Sequence, residues 1–318
     1  AGTVRNGQVI RCSEGEALIL VFEGTDDLDL ETTWIRFLDQ PVEIALSPEL
    51  LGREFNMLTP ENAMNMKYRQ PQPGQFDFFR ADTLVAVAQA NQMAVYGHVL
   101  VWDGDLPEWI TERSFSREEM MQVLCTHIKS VVNHYRGQVY AWTVVNEPFD
   151  NQGRLRNTLF LQSIGPDYIA MAFQWANEAD PSAVLVLNET YAEGLNSKSQ
   201  AVYALAQGLL ENGVPLHAVG LQMHVVLDHG PTSDELQVNM QRLADLGLQV
   251  YITEMDIRTQ YSSVSTPEIT TRFTQIYRES MAACLKTPAC RIFSTWGLTD
   301  RYTWIKWWTG NPVSPLLF

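Results

Sequence analysis

The chain has 318 residues, 46% of them hydrophobic, which is enough for one large core and too little for two full α/β domains with linkers. Its 22 Lys and Arg stand against 37 Asp and Glu, a formal charge of −15 that argues against nucleic acid and anionic membrane surfaces as partners. That charge suits a soluble protein acting on a neutral ligand, and no stretch has the unbroken apolar length of a membrane span.

In chain order, residues 1–50 form an atypical first portion. Glu16 to Phe22 reads as a strand, Asp29 to Leu38 as a short amphipathic helix, and Val42 to Leu46 as another strand. From residue 53 the pattern is regular. Strand-like runs occur at Glu54–Leu58, Ala94–Trp102, Val139–Val145, Val184–Leu187, Ala218–Met223, Gln249–Thr253 and Arg291–Trp296. Between them lie helical patterns at Ala81–Ala90, Arg117–Tyr135, Pro166–Ala179, Ser197–Asn212, Thr232–Leu246 and Pro267–Leu285. This alternation predicts parallel strands with crossover helices, and residues 17–22 or 42–46 would supply an eighth strand. The expected fold is a single (β/α)8 TIM-type barrel over residues 1–318, with no linker, repeat or low-complexity run marking off a second domain.

Two of the strand ends carry carboxylates. The apolar run Val139 to Val145 stops at Asn146-Glu147-Pro148, where the proline forbids further ladder donation. A carboxyl at the mouth of a buried strand is half-desolvated, which suits it to hand over a proton near neutrality. Gln249 to Thr253 ends likewise in Glu254, with Asp256 two residues on. Glu147 and Glu254 are separated by room for about three strand–helix units of roughly 35 residues each. In a barrel both would face the same pit at the C-terminal ends of the strands, the equipment of a glycosidase. Nine Trp and eleven Tyr offer flat faces for sugar rings, although aromatics also fill cores.

Seven motifs carry a resemblance. Thr59-Pro-Glu-Asn-Ala-Met64, Gly97-His-Val-Leu-Val-Trp102, Trp142 to Pro148, Gly165 to Ala170, Gln222-Met-His224, Thr253-Glu-Met-Asp256 and Trp296 to Trp304 fall in order. Over residues 53–304 they resemble the signatures of glycoside hydrolase family 10, best known for endo-β-1,4-xylanases. The resemblance implies a retaining hydrolase of internal β-1,4-xylosidic bonds, with xylan or a related plant polysaccharide or oligosaccharide as partner. No metal, organic cofactor or obligate protein partner is expected. Glu147 is implied as acid/base and Glu254 as nucleophile. Asn146 would hold the sugar 2-hydroxyl, and His224, oriented by Asp256, would hydrogen-bond the nucleophile. Glu61, Asn62, His98, Trp102 and Gln222 match glycone-binding positions, and Trp296 and Trp304 match aromatic walls. The alternatives are a retaining β-glycosidase on a β-1,4-glucan or short oligosaccharide, and a carbohydrate-binding barrel without turnover.

The chain departs from the family pattern in the glycone corner. Asn65 and Met66 stand where a lysine and a tryptophan are usual, and Asp103 and Asp105 where a histidine and a glutamine are. Thr190, after Asn188-Glu189, stands where an aromatic is usual. The expectation is a corner that has lost a cation and gained negative charge, with weakened sugar binding. Of the four cysteines, Cys12, Cys125, Cys284 and Cys290, only the last two are close in sequence. A Cys284–Cys290 disulfide is expected, and with it a secreted, extracellular protein in mature form with its signal already removed.

Overall fold

The computed structural model describes residues 33–37, 40–44, 55–259, 266–298, 300, 303–305 and 315–316. It divides into two compact units, Ala1–Val144 with Thr158–Ala183, and Val145–Asn157 with Val184–Phe318.

The first unit opens with a hairpin, β1 (Thr33–Phe37) against β2 (Gln40–Ile44), antiparallel with Phe37 opposite Gln40. This corrects two expectations. The stretch Asp29 to Leu38 is not a helix where it is described, because Thr33-Trp-Ile-Arg-Phe37 is β-branched and aromatic and finds a pairing partner. Of the expected strand at residues 42–46, Val42 to Ile44 are described and are indeed extended, but they sit in this two-stranded sheet and not as a parallel eighth strand. Pro41 suits that place, since a hairpin strand has a free edge where a missing donor costs nothing. The expected strand at residues 17–22 lies outside the described residues.

Next come β3 (Met57–Leu58), β4 (Ala94–Gly97) and β5 (Ala141–Asn146), with β3–β4 and β4–β5 parallel. The helices α1 (Phe79–Ala90) and α2 (Arg117–His134) make the crossovers, followed by α3 (Leu159–Ile164) and α4 (Tyr168–Ala179). In α2, Ser116 and Glu119 form a reciprocal capping box that satisfies two orphan donors. Its Met120, Leu124, Ile128 and Val132 recur every fourth residue and are buried. Burying each such side chain contributes roughly 1.5–3 kcal/mol. The regular strand β4 stops at Gly97, short of the expected Trp102. A Cβ at Gly97 would lie 2.3 Å from the Trp142 ring, so only glycine lets β4 approach it.

In the second unit β6 (Val184–Glu189), β7 (Ala218–Leu221), β9 (Gln249–Arg258) and β10 (Cys290–Thr295) lie side by side in that order, all parallel. The short β8 (His224–Val226) pairs with the far half of β9, which runs five residues past the expected end. Residues of β6, β7 and β9 are buried almost throughout, as in parallel strands covered on both faces. Helices α5 (Ser197–Glu211), α6 (Ser233–Asp245) and α7 (Thr266–Lys286) connect them. Asn196 with Ser199, and Thr232 with Glu235, cap α5 and α6 in the same reciprocal way as in α2. The expected disulfide Cys284–Cys290 is present and ties the end of α7 to the start of β10. Among the described residues no helix is long and apolar enough to cross a membrane.

Candidate active site

The ends of β5, β6, β7 and β9 bring one continuous polar cluster together in the second unit. Asn188, the fifth residue of β6, is its hub. Its Nδ2 donates to Asn146 Oδ1 at 2.8 Å and to Glu254 Oε1 at 2.6 Å, while its Oδ1 accepts from Thr253 Oγ1 at 2.8 Å. The hub exists because Gly220 leaves room for it: a Cβ there would lie 2.1 Å from Asn188 Oδ1. Gln222 Nε2 extends the chain, donating to Asn146 Oδ1 at 3.2 Å and to Glu147 Oε1 at 3.0 Å. Asn146 thus has its oxygen taken by two donors, which leaves Nδ2 as the donor end of its amide.

Glu147 is the half-exposed member, its side chain 22% accessible, with Arg156 Nη1 at 3.5 Å from Oε2. Its φ of +50° is left-handed, an unfavourable conformation for a glutamate that surrounding contacts must hold. Its own N–H donates to Asn188 O at 2.9 Å, and its carbonyl accepts from Arg156 Nη1 at 3.2 Å.

Glu254 is buried. His224 Nε2 faces Oε2 at 3.2 Å, so with Asn188 each carboxylate oxygen has a donor. On the other side of the imidazole, Nδ1 lies 2.9 Å from Asp256 Oδ2, which also accepts from Trp304 Nε1 at 2.7 Å. Burial works against a charged imidazole, but the carboxylates of Asp256 and Glu254 outweigh it and His224 is pushed up to about 10. It is therefore an imidazolium at neutral pH, hydrogen-bonded to Glu254 and ion-paired with Asp256. Trp296 and Trp304 meet it in T-shaped contacts, with centroids 6.2 and 5.1 Å away. Met223, just before His224, also has a left-handed backbone, φ +63°, and is pinned by its N–H to Glu193 Oε1 at 2.9 Å.

The other expected residues belong to the first unit. Buried His98 meets Thr143 Oγ1 through Nδ1 at 3.3 Å, and the Thr143 hydroxyl also hydrogen-bonds Tyr96 OH at 2.8 Å. Trp102 lies over Gly104. Glu61 and Asn62 lie in a single helical turn, Glu61–Met64, with Glu61 itself at φ +34°. Asn65 Nδ2 donates to Asn62 Oδ1 at 3.3 Å and to Asp105 Oδ2 at 3.2 Å. The expected loss of a cation from this corner needs correcting, because Lys67 Nζ stands 3.2 Å from Asp105 Oδ1. Two residues along the chain from Asn65, a lysine has come to the new acid and balances its charge.

Five contributors were missed in the sequence. Asn188 ends an apolar strand in a polar pair just as Asn146 does, and that repetition was a usable signal. Glu189 with Lys198, Arg156 and Lys67 carried none, since their partners are fixed only by tertiary structure. Among the described residues no group of His, Cys, Asp and Glu could hold a metal ion.

A profile described as Glycosyl hydrolase family 10 matches residues 38–318. The chain is 41% identical over 257 residues to endo-1,4-beta-xylanase B of Thermotoga neapolitana, covering 81% of this chain and 74% of that protein. Among solved structures it is similar to xylanase 10B from Thermotoga petrophila RKU-1 in complex with xylobiose. That match has a TM-score of 0.81 and 41% identity over 84% of this chain and 81% of the other. It is also similar to TsXylA, described as an intracellular xylanase from Thermoanaerobacterium saccharolyticum JW/SL-YS485. Here the TM-score is 0.78 and the identity 34%, over 85% of each chain.

Proposed function

This chain belongs to glycosyl hydrolase family 10, and from that membership we infer that it is an endo-1,4-β-xylanase, cleaving internal β-1,4 bonds of xylan with retention of configuration. The fold is a (β/α)8 barrel, with the polar strand ends at the face where such barrels keep their chemistry. The observation that carries the mechanistic reading is the unequal treatment of two glutamates by one hydrogen-bond cluster.

Glu254, with a donor on each oxygen and an imidazolium behind it, is held as a carboxylate and attacks the anomeric carbon. Glu147 protonates the departing glycosidic oxygen, and the sugar is left esterified to Glu254. Glu147, now ionised, takes a proton from water, which attacks the same carbon and releases Glu254. Asn146 offers its Nδ2 to the sugar 2-hydroxyl, a contact that strengthens as the oxocarbenium ion forms. Asp256 and Trp304 hold His224 in place, so the imidazolium keeps its charge through the cycle.

Proton NMR of the first products from a xylo-oligosaccharide should show the β-anomer. Early α-anomer would overturn the double displacement. A product profile on xylan, glucuronoxylan and β-1,4-glucan should show short xylo-oligosaccharides as the main products, and preference for the glucan would replace the xylan reading with the glucan one.

We also propose that the protein is exported. The family does not carry this, since TsXylA is described as intracellular. What supports it is the Cys284–Cys290 disulfide, which persists in oxidising compartments. Thiol titration of the denatured, unreduced protein should find two free thiols, those of Cys12 and Cys125. Four would remove both the disulfide and the support for export.

A further inference from the structure

Directly behind Glu147 lies a buried ion pair that the mechanism above does not use. Glu189, the last residue of β6, has no solvent exposure, and Lys198 on α5 reaches it at 2.8 Å while itself only 4% exposed. Two backbone donors share the carboxylate: Oε1 accepts from Thr190 N–H at 2.9 Å, and Oε2 from Phe149 N–H at 3.0 Å. The Phe149 contact matters because of where that amide sits. Glu147 has a left-handed backbone, Pro148 has no N–H to offer, and Phe149 carries the first amide after the acid/base residue. Upstream, Glu147 N–H is taken by Asn188 O; downstream, Phe149 N–H is taken by the next residue of the same strand. The tripeptide is therefore gripped on both sides by consecutive residues of β6.

We propose that Glu189, held by Lys198, is a positioning residue that fixes the Glu147 backbone and so aims the acid/base carboxyl at the glycosidic oxygen. The claim rests on the functional reading above and adds a residue to it.

Stability alone is a poor reason for such a pair, since removing two charges from water costs much of what their attraction returns. Burial pushes Glu189 up to about 7, against the pull of Lys198 and the Phe149 amide, and the nearby Glu147 charge adds to the push. A group so expensive to ionise is more simply explained by what it holds. A neutral amide in its place would present the Lys198 ammonium with one acceptor and the Phe149 amide with either no acceptor or a weaker one.

The test uses the leaving group as a probe. Glu189→Gln, and Glu189→Gln combined with Lys198→Met so that no lone charge stays buried, are assayed against the parent on two xylobiosides. With a 2,4-dinitrophenyl leaving group departure needs no proton; with an unactivated alkyl leaving group it does. Misaiming the acid should lower kcat/KM on the alkyl substrate about ten-fold or more, within the range for general acid catalysis, and change bond cleavage on the dinitrophenyl substrate less than two-fold. Glu189→Asp should fall between the variants and the parent. Equal losses on both substrates would mean a merely structural role and overturn the proposal, as would no loss on either. Amide hydrogen exchange supplies a readout that needs no substrate: the Phe149 amide should exchange at least about ten-fold faster in Glu189→Gln while core amides are unchanged. Unchanged Phe149 exchange would refute the grip itself, whereas a parent inactive on both xylobiosides but with the expected exchange change would overturn the xylanase reading alone.

Discussion

The catalytic cluster of the second unit and the Asn65–Lys67–Asp105 corner of the first are built on opposite principles. In the cluster, Asn146, Gln222, Glu254 and Asp256 are each under 5% exposed, and Asn188 and His224 each bridge two other site residues. In the corner, Lys67 is 46% and Asp105 20% exposed, and a single ion pair with one amide contact joins the parts. Chemistry that depends on the protonation of two glutamates needs low dielectric and fixed donors, so each residue there constrains several others. Sugar recognition at an exposed edge needs only a favourable field, and a changed residue can be offset by a neighbour. The cluster should accordingly fail steeply when altered, and the corner should respond in small steps.

The largest effects are expected at the two glutamates. Glu254→Gln removes the nucleophile and should abolish measurable turnover. Glu147→Ala should cost roughly 10²–10⁴-fold on substrates that need the acid. Azide, taking the place of the base-activated water, should then restore product formation with an activated aryl leaving group and give the β-glycosyl azide. Full activity of either variant would break the comparison at its centre.

His224 comes next, because its charge balances two acids. Removing one partner of a buried charge set typically costs about 3–5 kcal/mol, so His224→Asn should be destabilised to that order in urea unfolding. The pH dependence has a definite sign. The folded pKa, about 10, lies above the unfolded value of 6.5, so His224 binds its proton more tightly in the folded state. Its contribution is complete below pH 6.5 and is lost as pH rises towards 10. The stability gap between parent and His224→Asn should therefore narrow steadily over that interval. A gap that is constant from pH 6 to 9 would show that the imidazole is neutral in the fold.

The same contrast explains what could be read from the sequence. The cluster was visible because strands impose a simple grammar: an apolar run that stops in Asn146-Glu147 or Glu254 must place those groups at a strand mouth. Asn188 obeys the same rule, yet its role as hub depends on Gly220 and Thr253, far off in sequence, clearing space and supplying a donor. The hairpin β1–β2 was misread for a related reason. Leu30, Trp34 and Leu38 recur every fourth residue and imitate a helix face, whereas the pairing of Trp34 with Glu43 and Ile35 with Val42 is a tertiary choice. Lys67 was legible only as a residue, because nothing local shows that its side chain turns to Asp105.

The smallest effects belong to that corner. Breaking the Lys67–Asp105 pair with Asp105→Gln should change stability by less than about 1 kcal/mol, since exposed ion pairs contribute little. Asp105 holds Lys67 above the usual lysine range, so the lysine stays charged and is freed when the acid becomes an amide. Asn65→Lys alone would set two lysines about one acid and gain little. Combined with Asp105→Gln it restores a donor cation and an amide together, and kcat/KM on xylotriose should rise by up to about ten-fold, equivalent to about 1.4 kcal/mol of transition-state binding. Lys67→Met tests whether the lysine has taken over the missing role: if so, KM on xylotriose should rise a few-fold in the parent and hardly at all in Asn65→Lys/Asp105→Gln, where another cation is present. Because the pair is exposed, raising ionic strength from 0.05 to about 0.5 M should shrink the difference, which a buried arrangement would resist. A salt-independent effect, or a loss of activity in the restored double variant, would mean that Asn65 and Asp105 are selected for a sugar other than unbranched xylose, and the corner would then be as strictly specified as the cluster.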